Sequence, residues 1–370
     1  MEKDQDAGTF KKSFRIYKQS NRKNVNETTE IYVLHFVSEE FILSQQLKVT
    51  KTFKKTYSEV VVDILKNYLN VTNSMIAFIE PSTGIRDIVI PNKSPIDAIN
   101  FCSKRAINFK KSPTFLFFEN KLGYHFITTS TLISEKPVYK LNFQPKNLSG
   151  NFDKTEEIFG IRDFEVVTNH DTNKNIKSGL YAGTFIGLDL RNRIISKKQV
   201  NYGEISDINQ RANRTPDIGV IYNKTGKTNI EMYNSKVVLF PMSLYARESE
   251  YVKQNYPEII NSDDDTYHYV LQRGASFRNL MQKRLKLVMP GNFDLTSGLN
   301  VEVNIPIRGL KVGSDSLDKA ISGKYLILAS RHIIRFDRHE TVIEVVTDST
   351  NEDKMYVSTE DELGALQEYE

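Results

Sequence analysis

The sequence predicts a mainly β (α+β) protein divided among several small domains, with a few short helices. Short runs in which apolar residues alternate, or fill both faces, recur from Ile31 to Thr347 at the length of strands. Clear helix starts are scarce, and three or four helices account for them. At 370 residues the chain exceeds the roughly 250 to 300 at which one core stops growing, so two to four domains are expected. No period of about 20 to 50 residues repeats, which argues against solenoids and propellers.

Taken in chain order, EIYVLHFVS is the first strand, with Ile31, Val33, His35 and Val37 alternating against Tyr32, Leu34 and Phe36. Both faces are apolar, so burial on two sides is expected, with His35 a hydrogen-bonded core residue. Alternation from Leu47 to Phe53 gives a second strand. Thr56 and Glu59 then form a capping box, and Val60, Ile64, Leu65, Tyr68 and Leu69 share one helical face. In KSPIDAINFCSKRAI, Ser94 caps, Pro95 suits the first helical position and Asp97 favours the positive helix end. Ile96, Ile99, Cys102 and Ala106 form the stripe of that helix, so Cys102 reads as a small packed hydrophobe. SPTFLFFENKLGYHFITTSTL is a hairpin turning at Asn120 to Gly123, with His125 on the return strand.

The middle of the chain carries strand-like FEVVTN and LYAGTFIGLDL, while Asn169 to Asn175, residues 203–235 and Asn261 to Asp265 read as loops. A short helix around Arg278 to Lys283 leads into a strand ending at Met289. Pro290 to Asn292 turn, Leu295 and Gly298 mark another turn, and Val301, Val303 and Ile305 line one face of a strand. GKYLILASRHIIRFDRHETVIEVVTDS closes the folded part as a hairpin: strands Tyr325 to Ile334 and Thr341 to Thr347, with Asp337, Arg338, His339 and Glu340 at a solvated tip.

Charge is uneven. After Ser349 seven acidic residues and one Lys give −6, which leaves +10 for residues 1–349. Basic pairs at Lys11 and Lys12, Lys54 and Lys55, Lys104 and Arg105, and Lys110 and Lys111 are too dispersed for a nucleic-acid motif. MEKDQDAG carries no apolar leader, so no signal peptide is expected. The longest apolar runs fall far short of the roughly 20 residues of a membrane span. A lone Cys102 has no partner for a disulfide within its own chain, as in a reducing compartment.

No enzyme is expected. GxSxG, HExxH and CxxC are absent from the sequence, and NKTGKTNI lacks the first Gly of a phosphate loop, so Gly226, Lys227 and Thr228 read as a turn. Asp263, Asp264 and Asp265 with His268 lack the alternate spacing and Gly of a calcium loop. His332 and His339, two of the six histidines, fall within eight residues of each other beside Asp337 and Glu340; charged residues also suit a hairpin tip, so no metal, cofactor or catalytic residue is assigned.

The closing stretch, with Arg331-His332 before a charged turn and Thr347-Asp348-Ser349 at the end, resembles baseplate central hub proteins of contractile-tailed bacteriophages and their relatives in contractile injection systems. Met289 to Pro306, Phe53 to Leu69 and Ser94 to Thr131 are similar to further segments of those hubs. The resemblance implies two tube-like β-barrel domains: a first one with two helices at 1–132 and a second, barrel-like and open to an insertion, at 236–349. A β-rich middle domain at 133–235 would separate them, and an acidic tail would follow at 350–370. It also implies a homotrimeric ring in the virion tail baseplate, assembled in the host cytoplasm, without cofactors. Its implied partners are a tail spike or lysozyme-like protein, tail tube or tube-initiator proteins and baseplate wedge proteins. DNA would be met only in transit, with no stable membrane association. A tail-associated cell-wall hydrolase and a basic nucleic-acid-binding protein are the alternatives.

Overall fold

The computed structural model describes residues 12–144, 159–169, 171–190, 193–202, 211–216, 219, 236–241, 268–307 and 317–352. The architecture is mainly β, as expected, and its largest sheet is a nearly closed barrel.

The chain begins with a two-stranded antiparallel ribbon, β1 (Arg15–Asn26) and β2 (Thr29–Val37), followed by α1 (Glu39–Gln46). β3 (Val49–Lys55) leads into α2 (Tyr57–Asn67) through the expected capping box: Thr56 Oγ1 accepts from Glu59 N at 3.3 Å, and Glu59 Oε2 accepts from Thr56 N at 2.9 Å. A cap of this kind contributes about 1 kcal/mol. β4 (Ile76–Ile79), β5 (Arg86–Lys93) and α3 (Pro95–Ser103) follow, with Ser94 capping α3 through Asp97 N. β6 (Phe115–Asn120), β7 (Gly123–Thr128) and α4 (Thr129–Ser134) complete this region. Its strands are shared among three sheets: β1–β2, β3–β5 and β4–β7–β6. Val60, Ile64 and Leu65 of α2 meet Ile99 and Cys102 of α3, Ile90 and Phe126 in one core. Gly123 is required at the β6–β7 turn, because its φ of +131° is strained for any side chain and a Cβ would strike the Met75 carbonyl.

The barrel sheet runs in the order β10–β15–β18–β17–β16–β8–β9. Its strands are β8 (Tyr139–Phe143), β9 (Gly160–Ile161), β10 (Asp163–Asn169), β15 (Lys283–Pro290), β16 (Asn300–Asn304), β17 (Gly323–Ile334) and β18 (His339–Thr347). Arg162 N, just past β9, donates to Val288 O of β15 at 2.8 Å and draws the two ends of the sheet together. Period-two alternation sends Leu285, Leu287, Met289, Val301, Val303, Tyr325, Ile327, Ile343 and Val345 inward with Leu141 and Ile161, so the interior is filled with side chains. Each such burial stabilises by roughly 1.5 to 3 kcal/mol. β8 and β10 therefore pair with strands that lie between residues 283 and 347, and three strands from the intervening chain build a separate layer.

That layer is a three-stranded sheet, β12–β11–β14, from β11 (Ala182–Asp189), β12 (Ile194–Asn201) and β14 (Lys236–Pro241). It packs through Leu180, Tyr181, Phe185 and Val200 on Leu271 and Ala275. Ala275 belongs to α6 (Arg273–Leu280). The short pair β13 (Thr215–Pro216) and β19 (Ser349–Thr350) ties residues 211–216 to the end of the barrel.

Four expectations need correction. The Ile31–Val37 strand is exposed along most of its length, because nothing in the described chain covers it. Asn169 to Asn175 is not a loop throughout: Asp171 accepts from Lys174 N at 3.0 Å and starts α5 (Thr172–Ser178), which Gly179 ends in the left-handed conformation. The predicted helix at Arg278 to Lys283 begins five residues earlier, and Lys283 already lies in β15. Helices among the described residues number six, more than the three or four expected.

Candidate functional site: an assembly surface

The β1–β2 ribbon is the part of the described structure that lacks a core of its own. Strand β1, at about 3.3 Å per residue, spans roughly 40 Å. Ile16, Tyr17, Val25, Ile31, Tyr32, Val33 and Phe36 are all exposed along it. Ile16 stands opposite Phe36, and Ser20 opposite Val33, so the apolar residues occupy both faces. Tyr17 lies beside His35, which hydrogen-bonds Ser20 Oγ at 2.8 Å; His35 is hydrogen-bonded as expected but sits in the ribbon and not in a core. The root is held by ion pairs. Arg15 Nη2 lies 2.7 Å from Glu39, whose hydrogen bond and charge raise the guanidinium pKa, and Lys12 pairs with Glu119 of β6. A two-stranded ribbon alone is at best marginally stable in water. This one leaves apolar side chains exposed on both faces among the described residues.

The barrel hairpin has a second exposed end. Its tip presents Ile334 and a fully exposed Phe336, between Arg335 and Arg338. Below the tip, His332 and His339 come together with ring centroids 5.5 Å apart, and Phe293 packs on both, at 4.7 and 4.5 Å. Gly291 lies so close under the His339 ring that a Cβ there would overlap it. His332 Nδ1 hydrogen-bonds Thr341 Oγ1 at 3.1 Å, and burial, followed by the charge of His339, lowers its pKa. Asp337 is at the exposed tip, while Glu340 faces Arg338 at 3.5 Å. Among the described residues no three His, Cys, Asp or Glu gather as metal ligands. The two histidines are thus aromatic packing residues; His339 and Glu340 open β18 and are half-buried, not part of the solvated tip.

Polar clamps hold the regions in register, and most of them carry no local sequence signal. Buried Glu80 accepts from Thr128 N (2.7 Å), Asn108 Nδ2 (2.9 Å) and Thr131 Oγ1 (3.0 Å), joining the end of β4 to β7 and α4. Asp348 accepts from Ala212 N at 3.0 Å and from Ser349 Oγ at 2.7 Å; burial raises its pKa despite those bonds. Asn213 donates to Lys324 O, Thr347 Oγ1 and Ser349 O and accepts from Lys324 N at 2.8 Å. The Thr347-Asp348-Ser349 ending is therefore the dock for residues 211–216. Arg273 of α6 donates to the carbonyls of Ser103, Pro113 and Phe115 at 2.6 to 2.8 Å, and burial lowers its pKa to about 10.

The remaining candidates are packing residues where they are described. Cys102 is fully buried in α3, and burial pushes its thiol up to about 12, which removes the thiolate that a nucleophile needs. His125 stacks on Phe118 at 4.9 Å and hydrogen-bonds Asn120 Oδ1 at 3.0 Å. His268 opens a single π turn ahead of α6. Asp263, Asp264, Asp265, Gly226, Lys227, Thr228 and residues 353–370 lie outside the described residues.

No protein-family model and no curated protein matches the chain. Among solved structures the chain is similar to the tail protein from Neisseria meningitidis MC58, with a TM-score of 0.46 and 14% identity over 94% of this chain and 81% of that one. It is also similar to the 43 kDa tail protein of prophage MuSo2 from Shewanella oneidensis, with a TM-score of 0.48 and 12% identity over 90% of this chain and 78% of that one.

Proposed function

We propose that the chain is a structural virion protein of a phage tail baseplate: a homotrimeric central hub that anchors the spike and joins it to the tail tube. The observation that carries this reading is the β1–β2 ribbon, an exposed strand pair apolar on both faces that needs a partner surface to be stable. The hub-like segments of the sequence, from Phe53 to Leu69, Ser94 to Thr131 and Met289 to Ser349, supply the specific family. The region at 12–134 and the barrel sheet are then the two tube-like modules, with the β12–β11–β14 layer inserted in the second.

Because the barrel interior is filled, DNA does not pass through a single chain; a channel belongs on the ring axis, between chains. The spike, tube and wedge partners follow from the same reading. Light scattering with negative-stain imaging of the purified full chain tests it: a trimeric ring with a central opening is expected, and a strict monomer at high concentration overturns the hub.

A further inference from the structure

We infer that β1 of one copy adds to the free edge of β10 in a neighbouring copy, so that the ribbon and the barrel form one seam of the ring; this rests on the hub reading above. Among the described residues β1 pairs with β2 alone, and β10 with β15 alone. Each strand therefore has one row of backbone donors and acceptors unpaired, which is the surface that strand addition uses.

Their charges are complementary. Strand β1 carries Arg15, Lys18, Arg22 and Lys23 and no acid, whereas β10 carries Asp163 and Glu165 and no base. Arg15 and Arg22 are engaged by Glu39 and Glu30, but Lys18 and Lys23 have no ion-pair partner among the described residues. Glu165 reaches Lys286 only at 3.7 Å, and Asp163 is exposed.

Lysines on an edge strand repel a second copy of the same strand, so the ribbon is guarded against pairing with itself. An acidic edge removes that guard. Exposed Val166 and Val167 on β10 offer apolar surface to the ribbon's Ile and Val side chains, and burying it supplies most of the attraction. A contact between two different patches of one chain is also what closes a ring of identical subunits.

The test is charge reversal in the full chain, read by sedimentation. K18E/K23E and D163K/E165K each weaken association at least tenfold, and the chain carrying all four substitutions recovers it. Hydrogen exchange on the wild type checks the same seam without mutation: amides of residues 15–26 and 163–169 slow together as the chain assembles. Rings that survive both reversals, with no change in exchange at either strand, overturn the pairing and leave the hub standing. A wild-type chain that never assembles overturns both.

Discussion

The protein contains two long antiparallel hairpins of equal size, with strands of 12 and 9 residues in each, and they live in opposite environments. The barrel hairpin β17–β18 sits at the centre of a seven-stranded sheet, with Tyr325, Ile327, Ile343 and Val345 buried in a filled interior. Among the described residues the ribbon β1–β2 pairs only with itself and leaves Ile16, Tyr32 and Phe36 in solvent. An apolar strand pattern states that a surface must be covered; it does not state which chain covers it.

The largest test of that contrast is a pair of truncations. Ile343→Ala is expected to cost about 2 to 5 kcal/mol in denaturant titration, because it opens a cavity in a filled barrel. Phe36→Ala in the unassembled chain is expected to stay within about 0.5 kcal/mol of wild type while weakening assembly. Equal losses in the unassembled chain would mean that the ribbon belongs to the protein's own core.

Next in size is the dock at the end of the barrel hairpin, which has no counterpart on the ribbon. Asp348→Ala removes the acceptor of the Ala212 amide and is expected to cost about 1 to 3 kcal/mol. Asp348→Asn keeps an acceptor oxygen and loses the titration. The folded-state pKa of Asp348 is raised by burial, so its contribution is fullest below the ordinary carboxylate value and is lost as the pH rises through the raised value. Thermal melts across that range should fall with pH more steeply for wild type than for Asp348→Asn; parallel curves would remove Asp348 from the pH response.

A smaller effect belongs to the histidine pair. His332 has a lowered pKa, so its contribution is complete above the ordinary histidine value and is lost as the pH falls through the lowered one. His332→Gln should flatten acid destabilisation below the ordinary histidine value of about 6.5, with little change at pH 8. The smallest is Arg22→Ala on the ribbon. It breaks an exposed cross-strand pair with Glu30 and should change stability by no more than about 0.5 kcal/mol, an effect that salt screens.

The elements legible in the sequence were those whose signals are local. The Thr56–Glu59 box, Ser94-Pro95 and the Gly123 turn were found at their positions because capping and turn chemistry act within three or four residues. β1 carries no strand signal, because RIYKQSNRKNVN gathers its few apolar residues at the ends and so lacks alternation. α5 was missed because TNKNIKS has low helix propensity, and what holds it is tertiary: buried Asn175 exchanges two amide hydrogen bonds with Gln282 and accepts one from Arg278. Glu80, Arg273 and Asn213 are invisible for the same reason, since the hydrogen bonds of each side chain reach partners at least 28 residues away in the chain, and a lone polar residue gives no hint of such a distance.

Arg273 also has a mechanical consequence. One planar side chain grips three carbonyls that belong to the end of α3 and the approach to β6, so a pull separating α6 from that region loads three bonds at once. The exposed Lys121–Asp294 contact between β7's turn and the barrel loop would yield singly under the same load. Force entering through α6 is thus shared between this buried guanidinium, acting as a rivet in shear, and the apolar seam in which Ile127, Leu132 and Ile133 meet Leu280, Leu326 and Val346.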